Sequence, residues 1–191
     1  MRTFFLSASM FLTLASMLAA DTCRETVRDA SGRVVQTVDR RKDAGGAVQA
    51  TTRNASGRVI GTAVTRPNSG GSGARTEYRD ASGRLTGTAQ THATGGGAAR
   101  TASNSNTTYR DASGKLTATA ATRISGSTGA SLQTQYRDAS GRLTGSTSGN
   151  ISPSGTFTGT DRDASGRVQG SSSGTGKCNG TAVVRPPGGK R

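Results

Sequence analysis

An all-β chain built as an array of about six β-hairpin repeats is what the sequence predicts, and three observations carry that expectation. The hexapeptide Arg-Asp-Ala-Ser-Gly-Arg, or a close variant, returns at Arg28–Arg33, Arg53–Arg58, Arg79–Arg84, Arg110–Lys115, Arg137–Arg142 and Arg162–Arg167. Successive copies begin 25, 26, 31, 27 and 25 residues apart, as when one small supersecondary unit is copied along a chain. After each copy, small or apolar residues alternate with hydroxyl-bearing ones, the period of two that marks a strand with one covered face. The expected result is an antiparallel meander. It is either closed or doubled back into a barrel-like sheet, or left open as a solenoid-like ribbon.

Ahead of the repeats, Arg2 precedes an almost unbroken apolar run from Phe4 to Leu18, and Ala19-Ala20 stand before the polar Asp21. This layout predicts a secretory signal peptide over residues 1–20. The run is shorter than the roughly 20 apolar residues of a spanning helix, and no basic stop-transfer cluster follows, so the exported chain is not expected to span a membrane. Lipid attachment at Cys23 does not fit either, because Ala20-Asp21-Thr22 is not the small and apolar approach it needs. The expected localisation is secreted, whether periplasmic or extracellular. Residues 21–178 then form the six-hairpin domain, and residues 179–191 a basic Pro/Gly-rich tail.

After residue 20 the chain holds four Leu, ten Val, three Ile and one Phe among 171 residues. That supply of large apolar side chains is in the range of disordered chains. The regularity of the repeat argues the other way, because a segment without structure has no physical reason to keep one turn and strand pattern through six copies. A thin-cored β protein follows.

Each hexapeptide reads as a hairpin turn. In Arg79-Asp80-Ala81-Ser82-Gly83-Arg84 the Asp80 side chain can accept a hydrogen bond from the backbone two residues on, and Gly83 takes positive φ without a Cβ clash. These are the needs of a type I turn followed by a left-handed bulge residue. Asn54 replaces Asp in the second copy, and Asn supports the same local hydrogen bonding.

The following strands stack into rows. Val34, Val59, Leu85, Leu116, Leu143 and Val168 form one aliphatic row, expected to supply the large side chain of the covered face. Two residues on, Gln36, Gly61, Gly87, Ala118, Gly145 and Gly170 form a mostly small row that would let another backbone approach closely. Before the hexapeptides stand Val27, Thr52, Tyr78, Tyr109, Tyr136 and Asp161. Tyrosine in the three central copies alone suggests capping at the ends of the array. Pro67 to Gly73, Thr94 to Gly97 and Ser125 to Gly129 read as return loops of unequal length.

The stretches Tyr78 to Thr86 and Tyr136 to Thr144 resemble the YD repeats of the Rhs and teneurin type, whose consensus runs tyrosine, aspartate, two variable residues, glycine, arginine, leucine. They depart from it at Arg79, which stands between tyrosine and aspartate. Tyr109 to Leu116 is also similar to the MORN-like repeats, which carry a tyrosine and a later Gly-Lys-Leu. The resemblance implies a β-hairpin array outside the cytoplasm and brings no catalytic residues with it.

Charge suggests the candidate site. Without Arg2 there are 24 basic and 11 acidic residues, and twelve of the basic ones flank the six turns: Arg28, Arg33, Arg53, Arg58, Arg79, Arg84, Arg110, Lys115, Arg137, Arg142, Arg162 and Arg167. Rows of this kind can hold an anionic polysaccharide, lipopolysaccharide or other cell-envelope surface, or nucleic acid, through counterion release. The more economical reading makes them solvated hairpin-end charges that pair with the turn aspartates and oppose edge aggregation. No aromatic stacking platform or nucleic-acid motif accompanies them.

Catalytic apparatus is not visible, so no enzyme, small-molecule substrate or cofactor is expected. The lone His92 has no partner in the sequence to make it a general base, and no cluster suggests a metal site. The expected role is structural, adhesive or cell-surface interaction, with polyanion binding as the alternative. Thr86 with Thr88, and Thr117 with Thr119, add a weaker thought of ice binding. Asn54, Asn106, Asn150 and Asn179 fit the glycosylation pattern, which matters only in a glycosylating host.

Two cysteines, Cys23 and Cys178, lie near the two ends of the array, and an even count in an exported chain suggests a disulfide. Twelve strands side by side at about 4.8 Å would hold the ends of an open ribbon roughly 50 Å apart. Bridged Cα atoms must lie within about 7 Å. An intrachain bridge therefore requires closure or doubling back, whereas an open ribbon would leave the cysteines to join successive molecules by self-association.

Overall fold

The computed structural model describes residues 22–70, 72–94, 102–126 and 129–176. The expected leader (1–20), Cys178 and the tail (179–191) lie outside them, as do parts of three return loops. Six hairpins supply the strands: β1 (Thr22–Asp29) with β2 (Val34–Lys42), β3 (Val48–Asn54) with β4 (Val59–Pro67), β5 (Gly73–Asp80) with β6 (Leu85–Thr94), β7 (Ala102–Asp111) with β8 (Leu116–Ser125), β9 (Ala130–Asp138) with β10 (Leu143–Ile151), and β11 (Phe157–Asp163) with β12 (Val168–Gly176).

Every strand pairs antiparallel with its neighbours in sequence, and β12 also pairs with β1, from Cys23 opposite Gly176 to Asp29 opposite Gly170. The meander is a closed barrel, so the open-ribbon alternative is excluded. Closure leaves no described strand with an unpaired edge, which removes the aggregation hazard of a hairpin array. The six turns of the repeated hexapeptide lie at one end. The return connections, Thr22 and Gly176 lie at the other.

Alternation sorts the side chains between lumen and solvent. Cys23, Glu25 and Val27 of β1 are buried, and so are Leu132 and Thr134 of β9, while the residues between them are more exposed. The outward positions are largely hydroxyls, amides and guanidiniums, such as Thr108 and Arg110 on β7 or Gln133 and Gln135 on β9. A lipid-facing barrel would instead present an apolar band to the bilayer.

The core does not sit where the aliphatic row suggests. That row begins directly after each turn, at the barrel mouth, where Val168 is 44 % and Leu143 37 % exposed. The packed centre lies deeper. Ala89, Tyr109, Ala118 and Ala120 form a buried cluster, with Tyr78 and Tyr136 packed against it. Three tyrosines thus fill the lumen that small residues line, and the capping explanation for their placement falls because a closed ring has no end repeats. Burial pushes the Tyr78 phenol up to about 12 despite the opposing field of Arg40, and it raises Tyr109 further. The Tyr109 hydroxyl is buried without a hydrogen-bond partner among the described residues.

Hydroxyl pairs hold the joints between hairpins on the lumen side. Thr65 with Thr76 and Thr91 with Thr107 meet at 2.9 Å, and Thr122 with Thr134 at 3.0 Å. At the next joint the Thr147 hydroxyl donates to Asp161 at 2.5 Å, and within its own hairpin it lies 3.2 Å from the Tyr136 hydroxyl. Asp161 stands where the central repeats carry tyrosine. Between β1 and β2 a guanidinium of Arg40 donates to Glu25 at 2.8 Å, with side chains only 9 % and 3 % exposed.

The small row behaves as its composition suggests. A Cβ on Gly87 would stand 2.5 Å from the Arg110 carbonyl oxygen of the next hairpin, and one on Gly145 would stand 2.6 Å from that of Arg162. Gly87→Val should therefore cost about 1–3 kcal/mol in urea denaturation, while Thr88→Val on the outer face costs little. Arg40→Met alone should destabilise the barrel by about 3–5 kcal/mol, because it takes a charged hydrogen-bond partner from a buried carboxylate. Joining it to Glu25→Leu should recover most of that loss. If the double variant were as unstable as the single, charge burial would not be the cause.

Candidate functional site

The twelve basic residues singled out in the sequence are assembled by the turns into a ring around one mouth of the barrel. Each turn is built by its own first carboxylate or amide. The Asp80 side chain accepts from the Ser82 backbone N–H at 2.9 Å, the Ser82 hydroxyl at 2.6 Å and the Arg84 backbone N–H at 3.0 Å. The Gly83 N–H donates to the Asp80 carbonyl at 3.0 Å, and Gly83 lies at φ 84°, in the left-handed region. The expected bulge is seen in the paired bonds Gly83 N–H to Asp80 carbonyl and Asp80 N–H to Arg84 carbonyl, and each hairpin adds a second irregularity one step further on, where the pairing skips Val35, Ile60, Thr86, Thr117, Thr144 or Gln169. Asn54 makes the same three contacts through Oδ1, at 3.1, 2.8 and 3.0 Å.

The first arginine of each hexapeptide has a role that the sequence did not reveal. Arg28, Arg79, Arg110, Arg137 and Arg162 each donate from Nη1 to the carbonyl of their own turn glycine at 2.9 Å, and Arg53 does so at 3.1 Å. They clasp the turn, and the acceptor exists only once the turn has folded. The clasp uses one of five guanidinium N–H groups; Arg79 also reaches Glu77 at 3.5 Å and Arg53 lies 3.8 Å from Asp39, so most of the donor capacity still remains. The second basic residues, Arg33, Arg58, Arg84, Lys115, Arg142 and Arg167, are all exposed. Arg33 Nε also approaches Asp29 at 3.1 Å, an ion pair with its cation 82 % exposed.

The ring holds twelve cations against five carboxylates, a surplus of seven positive charges. Those carboxylates are held in their ionised form. Hydrogen bonding from Ser31, then from the Arg33 backbone and side chain, lowers Asp29 to about 2 against a desolvation cost. Asp80, Asp111, Asp138 and Asp163 are lowered chiefly by the hydroxyls of Ser82, Ser113, Ser140 and Ser165.

Other sequence candidates are scattered. His92 sits exposed on the outer face of β6, near the opposite mouth. Glu25 is buried with Arg40, and Glu77 faces Arg79 at 3.5 Å on the outer wall. The Thr86 and Thr117 pairs point outward on β6 and β8, and β7 between them presents Asn106, Thr108 and Arg110, so they form no continuous threonine face. Cys23 is buried opposite Gly176, two residues before Cys178, which lies outside the described residues. The lumenal threonine pairs went unnoticed in the sequence, although a threonine two residues before each tyrosine, at Thr76, Thr107 and Thr134, is the signal that marks them.

No protein-family model matches the chain, and no curated protein does.

The turn carboxylates carry a pH consequence. Their folded pKa values lie below those of free aspartate, so their contribution is present above about pH 4 and is lost as pH falls through the folded values, near 2 for Asp29. Melting temperature should drop steeply between about pH 4 and 2. Replacing Asp80, Asp111, Asp138 and Asp163 with Asn should flatten that drop, since Asn54 shows that the amide keeps the turn. An unchanged acid limb would remove the carboxylates from the explanation.

Proposed function

We propose that this is an exported, non-enzymatic adhesive barrel that attaches to anionic polymer or cell-envelope surfaces through its basic turn ring. The single observation behind this reading is the closed ring of hexapeptide turns, which gathers twelve cations on one mouth and leaves six of them exposed. Periodicity favours a polymer or surface over a small ligand. Equivalent cations recur every two strands, about 10 Å apart around the mouth, so that many weak contacts act together. The clasp geometry divides the work. First arginines hold the turns rigid with part of their donor set, and second basic residues make most of the contact with the partner.

The polar outer wall supports a molecule that works in water beside its target rather than inside a membrane. A disulfide between Cys23 and Cys178 belongs to the same proposal. The β1–β12 pairing sets Cys23 opposite Gly176, so such a bridge would lock the one seam where the ends of the meander meet. Mass analysis of the exported protein should give a monomer lighter by two hydrogens than its reduced form; a covalent polymer or a free thiol would refute the lock.

Retention on immobilised heparin is the test of the ring. Elution should advance steeply with salt, and replacing Arg33, Arg58, Arg84, Lys115, Arg142 and Arg167 by Gln should lower the slope of log affinity against log salt by about one per residue that contacts the polymer. The melting temperature should hold closely, because among these side chains only Arg33 bonds its own turn, through an exposed pair with Asp29. Salt-independent retention, or none, would defeat the reading.

A further inference from the structure

A second surface on this barrel has the properties of a binding site. An open groove of about 610 Å³ runs over the wall from β9 to β12 and ends against Arg28 on β1. Its outward lining includes Gln133, Asn150, Thr158, Thr160 and Ser173, together with Arg28. The wall beneath is thin. Five inward positions along β10, β11 and β12 are glycine, Gly145, Gly149, Gly159, Gly170 and Gly174, interspersed with Thr147, Phe157, Asp161 and Ser172. Where Gly149 and Gly159 leave space, the Phe157 ring lies across both: added Cβ atoms would meet it at 2.9 and 2.6 Å.

The lining decides the ligand chemistry. Hydroxyls and amides both donate and accept, which suits a chain of alcohol groups. No aromatic side chain or carboxylate lines the groove, so nucleobases have nothing to stack on and anions meet no repulsion. At one end Arg28 spends a single N–H on its turn carbonyl and keeps the remainder for a carboxylate. We infer that this groove binds a segment of acidic polysaccharide, with sugar hydroxyls along β9–β12 and a uronate carboxylate at Arg28, where the groove joins the basic ring. This rests on the ring reading for the charge and adds the polymer class and the path the chain takes.

The test uses oligogalacturonate and oligo(dT) of matched charge, measured by isothermal titration against the full exported chain at low salt. Oligogalacturonate should bind at least tenfold more tightly. Thr158→Trp and Ser173→Trp, made separately, fill the groove from exposed positions and should each abolish that preference while leaving oligo(dT) binding and the melting temperature unchanged. Ala121→Trp, on the outer face of β8, should change nothing. If the ring variants lose binding and the groove variants do not, the groove inference fails while the ring reading stands. Equal or stronger oligo(dT) binding by the unaltered chain also overturns the groove. A chain that binds neither polyanion overturns both.

Discussion

Every strand in this barrel hydrogen-bonds to two neighbours, and the β1–β12 pairing is what makes that possible. The constraint is severe because the chain has so little apolar mass to bury. A two-layer fold would need an oily face on each sheet, and these strands offer alanine, glycine and threonine instead. Backbone pairing that goes fully around removes the need for a second layer and satisfies each buried amide through the ladder. The lumen then tolerates polar groups, provided they find one another. Threonines pair across hairpin joints, Arg40 meets Glu25, and Thr147 joins Tyr136 to Asp161.

Much of this was legible in the hexapeptide. Asp, Ser and Gly at fixed offsets specify a turn by local chemistry, which does not depend on the rest of the chain. The strands were legible by alternation, and the small row by the absence of side chains. Closure was not, because the register of β12 against β1 depends on the accumulated stagger and curvature of all twelve strands, and no single residue encodes that. Only the cysteine positions hinted at it, and they permitted a polymer equally well.

The candidate site was half visible. The twelve basic residues could be counted, but their division into clasps and free cations could not, since the carbonyl that Arg79 holds points toward it only in the finished turn. The aliphatic row was mistaken for the core because sequence shows which residues share a face and not how deep along the barrel they lie. Leu143 and Val168 share the lumenal face with Gly145 and Gly170 but sit at its mouth. The groove was invisible for a related reason. It needs the outer residues of β9 to β12 to meet Arg28 of β1, a relation that only the closure of the barrel creates.

Closure also changes what a repeat means in this molecule. In a linear solenoid copies can be gained or lost at an end, because each contacts only its neighbours and the overall shape merely lengthens. In a ring the copy number is the circumference. A seventh hairpin would widen the lumen that the three tyrosines help to fill, and a ring of five would narrow it. Unequal divergence of the copies is then permissible within the ring, but their number is not free, and the six turns form a fixed dial rather than an extensible track.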